Sequence, residues 1–191
     1  RSQVAQGVTT EVIGNCGHGC APITSPERFK SNIYGHSEHR DIDWNTSEEF
    51  LALMDQCSPA VNVATLVPNG NLRLAHGSDL TRPSSPDELA AMDTDLREGL
   101  EAGAFGFSTG LEYPAERSTS SAELESLCRT AASYDGVYVP HTRNRELYAV
   151  QAIQEAIDTA AVAEIPLHIS HILPRKGGAA DSTERALELV D

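Results

Sequence analysis

The chain is short of lysine, cysteine and long apolar runs, and these shortages narrow the class of protein it can be. No stretch approaches the ~20 consecutive apolar residues that cross a bilayer as a helix, so no membrane partner is expected. Lysine and arginine together number 14 against 28 acids, for a formal net charge of −14 and a pI near 4.8. Contacts to nucleic-acid phosphates need a basic patch, so nucleic acid is excluded as a partner. The acids are spread through the helical patterns and read as a solvated acidic surface. Four cysteines are too few for a disulfide scaffold and point to a reducing, cytoplasmic setting. Cys57 and Cys128 fall inside helical patterns and read as small buried hydrophobes. The segment at Arg1 has no leader character, but it does not resemble a natural start, so a signal peptide stays an open alternative.

What the chain does have is 191 residues, 40% of them hydrophobic, enough for one core. Its most informative stretch runs from Val137 to His171. The runs Val137–His141 and Pro166–His171 each end in histidine, and a helical pattern lies between them. This is the sequence form of a βαβ unit with a histidine at the tip of each strand. Ligands and chemistry collect at that edge in parallel α/β folds. Neutral imidazole is a frequent metal ligand, so His141 and His171 suggest a metal site, against the plainer reading of polar residues near loops.

A third ligand candidate is Cys16. The β-branched run Val8–Ile13 predicts a strand. It leads into Gly14-Asn15-Cys16-Gly17-His18-Gly19-Cys20-Ala21-Pro22, a tight loop that leaves Cys16 just past a strand end. Cys16, His18 and Cys20 do not form a zinc site of their own, because no second ligand pair follows.

The rest alternates strand with helix. Arg1 to Gly7 reads as the end of a helix, and residues 24–45 as an irregular excursion anchored by Trp44. There His36 and His39 read as surface polarity. Thr46-Ser47-Glu48-Glu49 is a capping box, and Phe50, Leu53, Met54 and Cys57 follow at helical spacing up to Pro59. A strand over Val61–Val67 runs into Pro68-Asn69-Gly70-Asn71, read as a turn, with a second loop from Ala75 to Ser85. Ser85-Pro86-Asp87-Glu88 starts a helix with Leu89, Met92, Leu96 and Leu100 facing inward, and Gly103 ends it. Ala104–Gly110 is a strand. Ser120 and Glu123 cap a helix that buries Leu124, Leu127 and Ala131 and stops at Gly136. The next helix runs from about Arg145 to Glu164. Gly177-Gly178 breaks the chain, and a last helix starts at Ser182. Five strands in alternation imply a parallel sheet with helices outside it.

Gly7-Val8-Thr9-Thr10, Gly14-Asn15-Cys16-Gly17, the run Gly103–Pro114 and the two histidine strands occur together in one order. With them the chain resembles the N-acyl-D-amino-acid deacylases, the D-aminoacylase branch of the metal-dependent amidohydrolases. The resemblance implies an α/β fold: part of a (β/α)8 TIM barrel, about strands 2–6, with residues 1–191 an interior piece of the catalytic domain. The family's small β-sandwich, its first-strand His-x-His pair and its general-base aspartate would lie outside this chain. The resemblance also implies zinc held by Cys16, His141 and His171, a small-molecule N-acylated D-amino acid as substrate, and hydrolysis of its amide. This piece alone is then expected to be inactive.

Tyr113 is the candidate for lining the acyl or side-chain pocket, against a packed loop aromatic. Glu112 and Arg143 are weaker substrate-binding candidates, and for Arg143 a surface salt bridge is the plainer reading. Two departures from the family pattern stand out: Leu173 where a substrate-holding lysine is usual, with Arg175 or Lys176 as stand-ins, and His18 where a large apolar residue is usual. The rivals are a cyclic-amide hydrolase on the same scaffold and a catalytically incomplete metal-binding fragment. Relatives acting on cyclic amides usually place a carboxylated lysine where this chain has Cys16. Here lysine occurs only at 30 and 176, and neither position ends a strand.

Overall fold

The computed structural model describes residues 2–30, 41–172, 175 and 179–190. His36, His39, Leu173, Lys176, Gly177 and Gly178 lie outside the described residues. The elements, in order, are α1 (Ser2–Ala5), β1 (Thr10–Ile13), α2 (Pro26–Phe29), α3 (Ser47–Cys57), β2 (Asn62–Thr65), β3 (Val67–Pro68), α4 (Asn69–His76), α5 (Pro86–Glu101), β4 (Gly106–Gly110), α6 (Ser121–Ala132), β5 (Val137–His141), α7 (Ala149–Ala163) and α8 (Ser182–Glu188).

Every strand pairing is parallel: β1 with β2, β3 with β4, and β4 with β5. The expected strand over 61–67 is divided at Leu66, whose N–H still donates to the Ile13 carbonyl at 2.9 Å. One half therefore pairs back to β1 and the other forward to β4. The expected strand over 166–171 is an extended segment tied to β5 by a single bridge, Tyr138 to Leu167. The Tyr138, His168 and Ser170 N–H groups donate along this seam at 2.8, 2.9 and 3.0 Å. All strand C-termini consequently face one way, and the loops after them share one edge.

Three of the helices start where side-chain chemistry dictates. Thr46 with Glu49, Ser85 with Glu88 and Ser120 with Glu123 form complete capping boxes at α3, α5 and α6. Each box satisfies two backbone donors, and losing a cap of this kind costs about 1 kcal/mol. The core lies between the sheet and α5 to α7. Met92, Leu96, Phe107, Leu127 and Cys128 are wholly buried there beside Tyr138. Each large apolar side chain so buried contributes roughly 1.5–3 kcal/mol.

Three further expectations are corrected. Of the expected turn Pro68–Asn71, Pro68 ends β3 and Asn69–Asn71 start α4, because the polar side chains are used by neighbouring segments. Asn71 donates to the Gly19 and Pro22 carbonyls at 2.9 and 3.1 Å, and Asn69 donates to Glu116 at 2.8 Å. Helix α7 starts at Ala149 rather than near Arg145, because the Asn144 side chain accepts the Glu146 and Tyr148 N–H groups, both at 2.9 Å. Cys57 is exposed, since α3 buries only Ser47 and Phe50 at its first turn. Trp44 does anchor its segment, donating to the Cys20 carbonyl at 2.6 Å and lying against Phe50. No described helix is long and apolar enough to cross a membrane.

Candidate metal centre

Two strand ends and the end of the extended segment beside β5 supply one residue each. Cys16 lies in the loop after β1, His141 ends β5, and His171 follows the extended segment beside β5. One donor atom from each of the three lies within 4.8 Å of the others, and no other such group occurs among the described residues. The Cys16 Sγ stands 3.3 Å from the His171 Nε2, and the two imidazoles meet edge to face at 4.9 Å. His18 and Cys20, close in sequence, do not join the group.

The loop carrying Cys16 is wound tightly. Cys16 itself has φ +57°, flanked by Gly14 at +83° and Gly17 at +71°. A left-handed residue with a Cβ costs roughly 1–2 kcal/mol, so the surroundings must hold it in place. A Cβ at Gly14 would run into the Leu66 carbonyl, and a Cβ at Gly110 into the Cys16 carbonyl. The Ser108 hydroxyl, on β4, accepts from the Gly17 N–H at 3.3 Å and donates to the Gly14 carbonyl. The loop is thus seated directly on the end of β4.

His141 is oriented from behind. Its Nε2 lies 2.9 Å from Glu112 Oε2. Burial pushes the Glu112 carboxyl up, but hydrogen bonds from His141 and Arg145 outweigh it and leave it below its ordinary value. An ionised carboxylate only accepts, so His141 Nε2 carries the proton and Nδ1 presents its lone pair. That Nδ1 is buried and has no hydrogen-bond partner. Burial also holds the His141 and His171 pKa values below ordinary, with Arg145 acting in the same direction on both. Both imidazoles are therefore neutral at pH 7, as ligands must be. Burial raises the Cys16 thiol, Arg145 opposes this, and Glu116 adds to it.

Thiol sulfur plus two neutral imidazoles, one with an orphaned buried nitrogen, is a donor set that suits zinc. The carboxylate behind His141 is the arrangement that fixes a ligating imidazole's tautomer and orientation. The residues present therefore fit a zinc ion.

A cleft of about 400 Å³ opens beside the cluster, lined in part by Asn15, Cys16, His18, Tyr113 and His171. Tyr113 lies 4.4 Å from the His18 ring and 5.0 Å from the His141 ring, between centroids. Burial, with His141 nearby, holds the His18 pKa below ordinary.

Two residues proposed for substrate have other partners. Glu112 is committed to His141, to the Arg145 N–H at 3.0 Å and to the Arg145 guanidinium at 3.1 Å, with Arg175 at 3.7 Å. Arg143 is held by Glu155 on α7 at 2.9 Å and by the Arg117 and Thr119 carbonyls at 3.0 and 2.9 Å. Neither lines the cleft.

Sequence reasoning missed Arg145, Ser108 and Glu116, which contact Glu112 or the Cys16 loop. It also missed Arg73, a wholly buried cation on α4 paired with Glu123 at 2.8 Å. No spacing marks these residues.

The comparisons with known proteins show what the chain is similar to. The chain is 31% identical over 171 residues to D-aminoacylase of Alcaligenes xylosoxydans xylosoxydans, covering 88% of this chain and 35% of that protein. It is 34% identical over 186 residues to N-acyl-D-glutamate deacylase of the same organism, covering 95% and 37%. A solved N-acyl-D-glutamate deacylase from Bordetella bronchiseptica, complexed with zinc and a phosphonate mimic of the tetrahedral intermediate, superposes with a TM-score of 0.83. That match is 32% identical and covers 98% of this chain and 40% of that one. No protein-family model matches. The chain spans about a third of the length of the curated relatives it matches.

Proposed function

From the premise that this chain is a homologue of the D-aminoacylase amidohydrolases, we propose that its protein hydrolyses the amide of N-acyl-D-amino acids with zinc. In this reading residues 1–191 are part of a (β/α)8 barrel, and the parallel strands in sequential order are its arc. The observation that carries the reading is the convergence of donor atoms of Cys16, His141 and His171 within 4.8 Å, from three separate segments of the chain.

Zinc held there by Cys16, His141 and His171 would polarise the acyl carbonyl as a Lewis acid and make water a better nucleophile near neutral pH. The chain's own residues prepare the place. Cys16 enters as thiolate, so its proton must leave when metal binds. Glu112 keeps the His141 ring in one tautomer, and Arg145 keeps Glu112 in line with it. Tyr113 forms an aromatic wall of the cleft, suited to an acyl or side-chain group. Arg175, exposed and only loosely paired with Glu112 at 3.7 Å, is a cation available among the described residues for a substrate carboxylate. The group that hands a proton to the leaving amine is assigned to no described residue.

The test is release of free amino acid from N-acetyl-D-amino acids, compared with the L-enantiomers, before and after chelation and zinc re-addition. Zinc-dependent turnover of the D-series supports the reading. Zinc-dependent turnover confined to the L-series or to cyclic amides contradicts it.

A further inference from the structure

We propose that Glu116 is a positioning residue for the Cys16 sulfur: a buried carboxyl strut that ties the Cys16 loop to the start of α4 and the end of β4. The proposal rests on the Cys–His–His reading above and extends it to a residue outside the ligand set.

Glu116 is wholly buried. Its Oε2 accepts from the Gly110 N–H at 2.9 Å and from the Asn69 side chain at 2.8 Å. Gly110 is the last residue of β4 and Asn69 the first of α4, so one oxygen joins two elements. The other oxygen, Oε1, has no hydrogen-bond partner. It occupies the space that a side chain at Gly17 would fill, and a Cβ at Gly70 would crowd the same oxygen and the Gly17 carbonyl. Gly17 directly follows Cys16, so the carboxyl fixes how deep the loop sits and where the sulfur is aimed.

A carboxyl is an expensive wedge. Burial drives its pKa up, the hydrogen bonds from Gly110 and Asn69 recover only part of that, and it is left at about 7. An apolar side chain would fill the volume at less cost. What an apolar side chain lacks is the oxygen that holds Gly110 and Asn69 together under the loop. Ser108 and Asn71 brace the same loop on its other sides, through Gly14, Gly17 and Gly19. Among these braces only Glu116 has its head group against Gly17 while bonded to both flanking elements.

The experiment is titration of the chain with cobalt(II), reading affinity and the thiolate-to-cobalt charge-transfer band that reports sulfur ligation. Far-ultraviolet circular dichroism on the same samples reports folding. Glu116→Gln keeps an acceptor oxygen and is expected to stay within about threefold of wild type. Glu116→Met keeps the volume without the acceptor and is expected to bind about tenfold or more weaker, with a diminished band, as for other supports of metal ligands. A folded Glu116→Met with wild-type affinity and band overturns the proposal, as does a Glu116→Gln that loses as much as the Met variant. If Glu116→Met does not fold, Asn69→Ala cuts the strut at its helix end and decides by the same readout. A wild-type chain that folds but shows no band removes the Cys16 site itself, an outcome visible before any variant is compared.

Discussion

Cys16 Sγ and His171 Nε2 stand 3.3 Å apart although 155 positions separate them in the chain. A half-buried thiol brought that close to an imidazole has to be accounted for, and the parallel strand order provides the account. Strands that all run one way deliver their last residues to one edge, and this edge receives a sulfur and two nitrogens.

Glu112 should prove necessary for metal although it is not a ligand. Glu112→Ala removes the acceptor of the His141 Nε2 proton and leaves the Arg145 guanidinium without its carboxylate. Zinc affinity, measured by competition with a chromophoric chelator, is expected to fall about 10- to 100-fold. An unchanged affinity would mean that packing alone orients His141.

Zinc binding should strengthen with rising pH. The Cys16 thiol is raised above its ordinary 9.0, so at neutral pH it carries a proton that zinc must displace. His141 and His171 are lowered and already neutral there. One proton released per zinc gives an affinity rising about tenfold per pH unit between roughly pH 7 and 9. A flat profile over that window would mean that the sulfur is not a ligand.

Burial of Glu116 makes a separate mark on stability. Its folded pKa is raised to about 7 from 4.5, so the folded chain holds a proton that the unfolded chain gives up. That contribution is complete below about pH 4.5 and is lost as pH rises towards about 7. Denaturant unfolding of Glu116→Gln against wild type should show the variant gaining about 3 kcal/mol between the ends of that window. A pH-independent difference would contradict the burial of this carboxyl.

Arg73 should be among the most costly residues to remove. Its guanidinium reaches Glu123, Ser84, Ser118 and the Arg82 and Ala115 carbonyls, and it is almost wholly buried. Arg73→Met strands the buried Glu123 carboxylate and is expected to cost about 3–5 kcal/mol in urea unfolding. A loss under about 1 kcal/mol would show that the pair is solvated in solution.

Much of this architecture is legible in the residues, because the devices involved are local. The boxes at Thr46, Ser85 and Ser120 announce their helices within four residues. The alternation of strand and helix follows from hydrophobic period. Cys16, His141 and His171 could be placed at strand ends from the runs preceding them, and their meeting at one edge follows from parallel strands. What escaped depends on partners distant in sequence. Asn69-Gly70-Asn71 has turn chemistry and becomes helix because Glu116, Gly17 and Gly19 take up its side chains or demand its lack of one. Arg145 sits outside α7 because Asn144 and Glu112 claim the nearby backbone N–H groups. Division of a strand at Leu66 is a matter of which neighbour each half meets. Glu116 carries no periodic or motif signal at all, since its role is defined by the loop folded over it.

The central claim is that Cys16, His141 and His171 form one zinc site, and zinc content tests it most directly. Elemental analysis of the purified, folded chain is compared with Cys16→Ala and His141→Ala. About one zinc per chain, lost in both variants while they stay folded, is the predicted result for a three-ligand site. A folded wild-type chain that takes up no zinc, or variants that retain it, would contradict the account.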